Sequence, residues 1–170
     1  MYVRFLGPDG HRMLTEEVKW LAMTHKSFDH GRRGFNDRLA YLGHRILRLQ
    51  TTLALLDTPP TPTPEDPYDR TPVTDPALRG LENLSDDVVA AVLDKKRVAG
   101  VASRSGIGEV LRWTPHKPYD LHASGISNVL AEALFAVVGA VSLQKGGEVA
   151  AKVARERILN YLIPKERRRV

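Results

Sequence analysis

Apolar residues recur along this chain at helical rather than strand spacing. Between Asn36 and Leu56, Leu39, Leu42, Ile46, Leu49, Leu53 and Leu56 repeat at alternating intervals of three and four. Such a stripe turns one side of a helix towards a core or a partner helix. Asn36 stands where an N-cap belongs, since its side chain can satisfy free N–H groups of the first turn. Upstream, Leu14 to Ser27 carries Val18, Leu21 and Ala22 at helical spacing, and "DHGRRGF" then breaks the pattern with two glycines. Downstream, Ser85 reads as the N-cap of "DDVVAAVLDKK", with Asp86 and Asp87 where the helix dipole favours negative charge. "KRVAGVASRSGIGEVLRW" continues as a short helix stopping at Gly106 and Gly108, and "TPHKPYDLHASG" reads as a loop. Residues 126 to 144 are apolar on nearly every side, which predicts a central buried helix. Its small residues Ala131, Ala133, Ala136, Gly139 and Ala140 let neighbouring helices come close. "GGEVAAKVARERILNYLI" predicts a last helix before Pro164 and the basic tail "KERRRV". No stretch alternates with period two over strand length, so the expected fold class is all-α.

Residues 57 to 80 interrupt this helical pattern. They hold seven of the eleven prolines, and proline both removes a backbone donor and disfavours helix at the residue before it. The expectation is an extended, polyproline-like loop inside one domain, because too little chain precedes it for an independent domain. Residues 1–170 are therefore read as a single domain with a Pro-rich loop at 57–80 and a basic C-terminal tail at 164–170.

Composition narrows the class. At 170 residues, with 42% hydrophobic and 26% charged residues, the chain is that of a soluble globular protein. Without cysteine it has no disulfide and no thiolate metal site. The net charge of +5 is unevenly spread. Residues 57 to 80 carry five acids against Arg70 and Arg79, a local −3 that leaves +8 on the remainder. That balance favours a polyanionic partner such as RNA. The longest apolar run, Val129 to Leu143, is interrupted by Glu132 and reads as too short to span a bilayer, so no membrane is expected. Arg4 and Arg12 would suit a mitochondrial presequence, but Glu16 and Glu17 follow closely and serine is missing, so no clear presequence is read.

One stretch carries candidate chemistry. In "NDRLAYLGHRI", Asp37, Ala40 and His44 fall at i, i+3 and i+7, on one face of a helix. Carboxylates so spaced would chelate Mg²⁺, yet an alanine and a histidine occupy the second and third positions. "THKS" at 24–27, "NDRLAYLGHRIL" at 36–47 and "LAEALFAVVGAVSL" at 130–143 resemble, in order, three blocks of the ribonuclease III catalytic domain: THxS, NERLEFLGDxxL and DxxEALIGAxxLD. "KRVAGVASRSGIGEVLRW" resembles that family's GNxLAxLAxxxGLGexLxL segment, and together the blocks cover most of residues 15 to 146. In the second block Asn36, Arg38, Leu39, Leu42 and Gly43 match literally, Asp37 and Tyr41 conservatively.

The resemblance implies a ribonuclease III endonuclease-domain-like helical bundle. In that family, carboxylates bind Mg²⁺ for two-metal phosphodiester hydrolysis. Carried over position by position, the acids of the first helix fall on Asp37, Ala40 and His44, and those of the late helix on Glu132 and Phe135. Alanine and phenylalanine cannot ligate and neutral imidazole is a poor Mg²⁺ ligand. The expectation is a degenerate active site, a pseudoenzyme with no metal and no cofactor. Asp37, at the first helical turn, is explained by the helix dipole. Glu132, in an apolar helix, needs a partner, for which His44 or Arg45 is the expected source. The alternative is that His44, Glu132 and Asp37 together hold Zn²⁺ or Mn²⁺. His25 reads as a hydrogen-bonded packing residue.

Family members pair through this helix, an aromatic at the position of Tyr41 entering a socket on the partner. The resemblance thus implies a dimer interface at Tyr41, His44 and Arg45, with Leu39, Leu42 and Ile46 facing the domain's own core; alternatively, Tyr41 packs internally. No double-stranded RNA-binding domain is expected after the last helix, where only "PKERRRV" follows. A degenerate, basic, stand-alone domain with a proline-rich insertion resembles the ribonuclease III-like proteins of the fungal mitochondrial ribosome large subunit. That narrower resemblance implies a structural role in the mitochondrial matrix, with ribosomal RNA, another ribonuclease III-like subunit in a heterodimer and other ribosomal proteins as partners. The competing reading is a double-stranded RNA endonuclease, or an inactive partner subunit in RNA processing. RNA contact is expected outside the old cleft, through Arg32, Arg33, Lys95, Lys96, Arg97, Arg155, Arg157, Lys165, Arg167, Arg168 and Arg169, acting mostly on phosphates.

Overall fold

The structure, a computed structural model, describes residues 1–59 and 75–163. Among these the regular elements are helical, and the sole β-type pairing is a lone bridge between Thr24 and Arg112. The chain begins with α1 (Tyr2–Leu6) and a 3₁₀ turn (Pro8–Arg12). The hydropathy pattern did not predict α1, because five residues are too few to show a period. Phe5 and Leu6 are nonetheless buried in the core. α2 spans Glu16–Ala22, shorter than the predicted Leu14 to Ser27. A long-range pairing ends it: the Arg112 N–H donates to the Met23 carbonyl at 2.8 Å and the His25 N–H to the Arg112 carbonyl at 2.9 Å. The glycine-containing break follows as expected, with Asp29 and His30 both in left-handed backbone conformation.

α3 runs from Asp37 to Leu56 with Asn36 at its N-cap position. The Asn36 side chain does not cap. It is buried and donates to the Ala22 carbonyl at 3.1 Å, tying the start of α3 to the end of α2. The leucine stripe is corrected too. Leu39 is buried, but Leu42 and Ile46 are only half-buried, and Leu49 and Leu53 are 57% and 44% exposed. The face α3 buries instead runs through Leu39, Ala40, Gly43, Leu47, Gln50, Thr51 and Leu55.

The cause is the way α3 meets α6 (Ile126–Lys145), its most extensive neighbour. A Cβ on Gly43 would sit 1.8 Å from the Phe135 carbonyl oxygen, and one on Gly139 would sit 2.2 Å from that of Leu39. Two backbones touch there, and the contact requires residues without side chains, which a search for large apolar side chains passes over. α6 is the central helix, buried at every position from Val129 to Val141 except Glu132 and packed on α2, α3 and the two helices described below, Lys95–Arg104 and Gly147–Val153. At 20 residues it is long and apolar enough to cross a membrane, which corrects the reading of this segment as too short. Two-thirds of it is buried inside the protein, and that burial accounts for its apolar character.

Most of the proline-rich segment, 60–74, lies outside the described residues. Asn83, just beyond the segment, ties back to its start, its Nδ2 donating to the Thr58 carbonyl and Thr58 Oγ1, both at 3.0 Å. α4 (Asp86–Val92) begins as predicted, Ser85 Oγ accepting from the Val88 N–H at 3.1 Å. It does not run through "DKK". Asp94 is a further N-cap, accepting from the Lys96 and Arg97 N–H groups at 3.0 and 3.2 Å, and it opens α5 (Lys95–Arg104). The last predicted helix forms as α7 (Gly147–Val153), passing into a π-helical stretch, Ala154–Leu159, and a final turn, Asn160–Leu162.

Candidate functional site

One cavity, of about 280 Å³, opens beside the α3–α6 crossing. Asp37, Ala40 and His44 reach it from α3, and Glu132 and Phe135 from α6. The structure thus brings all five matched positions together. The segment after α2 adds His25 and Lys26, the approach to α3 adds Phe35, and the first turn of α5 adds Lys95. Asp94 positions that lysine by starting α5 where it does.

Glu132 finds its partner in His25, not in His44 or Arg45. The His25 Nε2 lies 3.4 Å from Glu132 Oε2, and Lys95 Nζ lies 3.9 Å from Oε1. The Ser27 N–H donates to His25 Nδ1 at 3.2 Å, so that nitrogen accepts and Nε2 carries the proton facing Glu132. The hydrogen bond from His25 holds Glu132 below the usual carboxylate value, against burial, which raises it; the charges of Lys95 and Lys26 act with the hydrogen bond. Sequence reasoning gave His25 only a packing role. The partnership depends on the backbone pairing with Arg112, which no local pattern announces.

His44 leans on Phe135, ring centroids 5.1 Å apart at 54°. Burial lowers its pKa from the ordinary imidazole value, and the charges of Arg45, Arg48 and Lys95 lower it further, so it is neutral at pH 7. Asp37 is exposed at the first turn of α3, where its Oδ1 accepts from the Arg38 N–H at 2.7 Å. Among the described residues no group of three or more His, Asp or Glu side chains is gathered to hold a metal, so the His44, Glu132 and Asp37 trio is not assembled. A two-metal site needs a cage of oxygen ligands; this wall offers Ala40, Phe135 and a histidine resting on an aromatic ring. The donors present do not fit the pair of Mg²⁺ ions.

The remaining candidates are scattered. Tyr41 borders the same cavity at its rim and is 64% exposed, with the Arg45 guanidinium 5.1 Å from its ring centre, so it does not pack in its own core. Arg32, Arg33, Lys96 and Arg157 are exposed, Arg33 pairing with Asp29 at 3.3 Å. Lys95 lies in the cleft rather than outside it. Arg97 and Arg155 have structural work: Arg97 donates to the carbonyls of Ala91 and Leu162, and Arg155 to Gln50 Oε1 at 2.9 Å. Lys165, Arg167, Arg168 and Arg169 lie outside the described residues.

Comparison with known proteins matches this geometry. Residues 15–162 match the family described as Ribonuclease-III-like, and the chain belongs to that family. It is 47% identical over 162 residues to the large ribosomal subunit protein mL57 of Neurospora crassa, covering 95% of this chain and 61% of that one. It is also 31% identical over 155 residues to ribonuclease 3 of Pseudomonas fluorescens, across 90% of this chain and 56% of the enzyme. The chain therefore spans little more than half the length of these relatives. Among solved structures, the nuclease domain of ribonuclease III from Campylobacter jejuni superposes with a TM-score of 0.60 at 23% identity, covering 89% of this chain and 88% of the other. That likeness establishes the shared all-α fold.

Proposed function

We propose that this chain is a structural constituent of the large subunit of a mitochondrial ribosome, in which a ribonuclease III scaffold holds RNA and a second ribonuclease III-like chain without cutting RNA. The identity of 47% to the Neurospora crassa mL57 carries this reading. The donor set of the cleft supports it, since Ala40, His44 and Phe135 leave no cage for catalytic metal. The mitochondrial matrix as its compartment, and ribosomal RNA and other ribosomal proteins as its partners, belong to the same proposal. The exposed basic residues Arg32, Arg33, Lys96 and Arg157 are its candidate phosphate contacts, together with Lys165 and Arg167 to Arg169 of the tail.

A second ribonuclease III-like chain is the partner that best suits the outer face of α3. Tyr41, Leu49 and Leu53 are exposed there and Leu42 and Ile46 half-buried, a run of apolar surface along one helix. A solved ribonuclease III nuclease domain from Campylobacter jejuni is described by a region involved in dimer formation, which supports pairing as a use of this fold. An inactive partner subunit in RNA processing is the competing reading, and the same face supports it.

Sedimentation separates the two. The tagged protein, expressed in cells that carry it, should co-migrate with large mitochondrial subunits through a sucrose gradient at moderate salt and leave them as salt rises, because phosphate contacts release counterions. Recovery only at the top of the gradient, or with non-ribosomal RNA, would overturn the ribosomal reading.

A further inference from the structure

The cleft that fails as a metal site has features of a different kind of site. A second cavity, also about 280 Å³, adjoins the first, and the two share His44, Lys95 and Phe135. Taken as one groove, they are lined by Lys26, Phe35, His44, Lys95 and Arg48. The carboxylates along it are already engaged. Glu132 faces His25 and Lys95, Asp94 caps α5, and Asp37 accepts from the Arg38 N–H. Lys26, by contrast, has no salt bridge among the described residues. Two partly buried rings, Phe35 and His44, and the exposed ring of Tyr41 line the cavity, and buried Phe135 packs against His44. His44 is neutral at pH 7 and so offers both a flat ring and a hydrogen-bonding edge.

Aromatic faces and ammonium groups lining one groove suit an unpaired nucleotide, whose base stacks while its phosphate meets a cation. Resting on the proposed role as an RNA-holding ribosomal subunit, we infer that this groove is a binding site for a short unpaired segment of RNA, with a base stacked at Phe35 or His44 and phosphates at Lys26 and Lys95. The residues that remove the metal chemistry, His44 and Phe135, then build the stacking floor. RNA contact is thereby extended into the cleft, where Lys95 lies.

Fluorescence anisotropy with the full chain tests this, using a fluorescein-labelled single-stranded oligoadenylate and a duplex of equal length at one fixed salt. The single strand should bind more tightly than the duplex. Phe35→Ala should weaken it about tenfold, as loss of one stacking platform does, whereas Phe35→Tyr should retain it. Lys26→Ala and Lys95→Ala should each weaken it several-fold, and His44→Glu, which returns a carboxylate to the groove, should abolish it. Lys152→Ala, on the exposed face of α7, should change nothing. Circular dichroism confirms that each variant is folded; should Phe35→Ala not fold, the two lysine variants decide. A wild-type protein that binds no single strand, prefers the duplex, or is indifferent to all the groove variants overturns the inference. Ribosome co-sedimentation of the wild type is scored separately. Its loss condemns the ribosomal reading, while its persistence with unchanged oligonucleotide binding in the groove variants condemns the groove alone.

Discussion

Gly43 and His44 are neighbours on α3, yet they belong to regions under opposite constraints. At Gly43 the backbone of α3 touches that of α6, and even one methyl group would collide with the Phe135 carbonyl at 1.8 Å. At His44 the chain lines an open cavity, where the side chain rests on Phe135 and still reaches solvent. The crossing is held by the absence of side chains, so its identity is fixed by sterics and independent of any chemistry beside it. The cleft is held by nothing of the kind. Alanine, histidine and phenylalanine stand there without disturbing the approach of the helices. Under the proposed role a nuclease scaffold outlasts nuclease chemistry, because different atoms specify the two.

The largest expected effect breaks the crossing. Gly43→Ala puts a Cβ where a carbonyl oxygen already is, and overpacking of this sort costs about 1–3 kcal/mol or more. A melting temperature at least ~2 °C below wild type is expected. Unchanged melting would show that the two backbones are not in contact.

Next comes the other face of the same helix. Tyr41→Asp should leave the melting temperature of the isolated chain nearly unaltered, since the ring is 64% exposed and covers no core. It should weaken binding to the second ribonuclease III-like chain by about 2 kcal/mol or more, as removal of an aromatic anchor does. Pull-down or calorimetry with that partner reads the loss, and full retention of binding would remove Tyr41 from the interface.

Acid should produce a smaller effect, centred on the cleft. His44 has its folded pKa lowered, so the unfolded chain takes up that proton first and stability falls as pH drops below about 6.5. Glu132 is also lowered in the folded state. Its contribution is present above about pH 4.5 and is lost as pH falls through the folded value. Both groups are partly exposed and screened, so each contributes no more than ~1 kcal/mol. Thermal melts across pH 7 to 4 should show a shallow decline from the first group. His44→Gln should flatten the upper part of that decline, and a wild-type curve that rises towards acid would contradict both signs.

The contrast between crossing and cleft also explains what could be read from sequence. The long elements were legible because burial leaves a period: α6 is apolar all round, and α3 and α4 start where Asn36 and Ser85 stand. The five cleft positions were legible as well, since a residue-by-residue match fixes their helix register, and all five line one cavity. The buried face of α3 was misread because glycine and alanine, invisible to a count of large apolar residues, make its closest contacts. The outward leucines counted instead belong to a surface a partner would cover. His25 as the partner of Glu132 was missed for a related reason. The pairing spans 107 positions and depends on an isolated backbone bridge to Arg112. The Asp94 cap was local and readable, but "DKK" was absorbed into the preceding helix.

Mg²⁺-dependent cleavage of double-stranded RNA tests the separation of scaffold from chemistry most directly. The purified chain, alone and with its ribonuclease III-like partner, should give no products at any Mg²⁺ concentration, since Ala40 and Phe135 remove ligands from both helices that would hold the ions. Products that appear with Mg²⁺ and vanish in the Glu132→Gln variant of this chain would mean the cleft still holds catalytic metal, contradicting the proposed role.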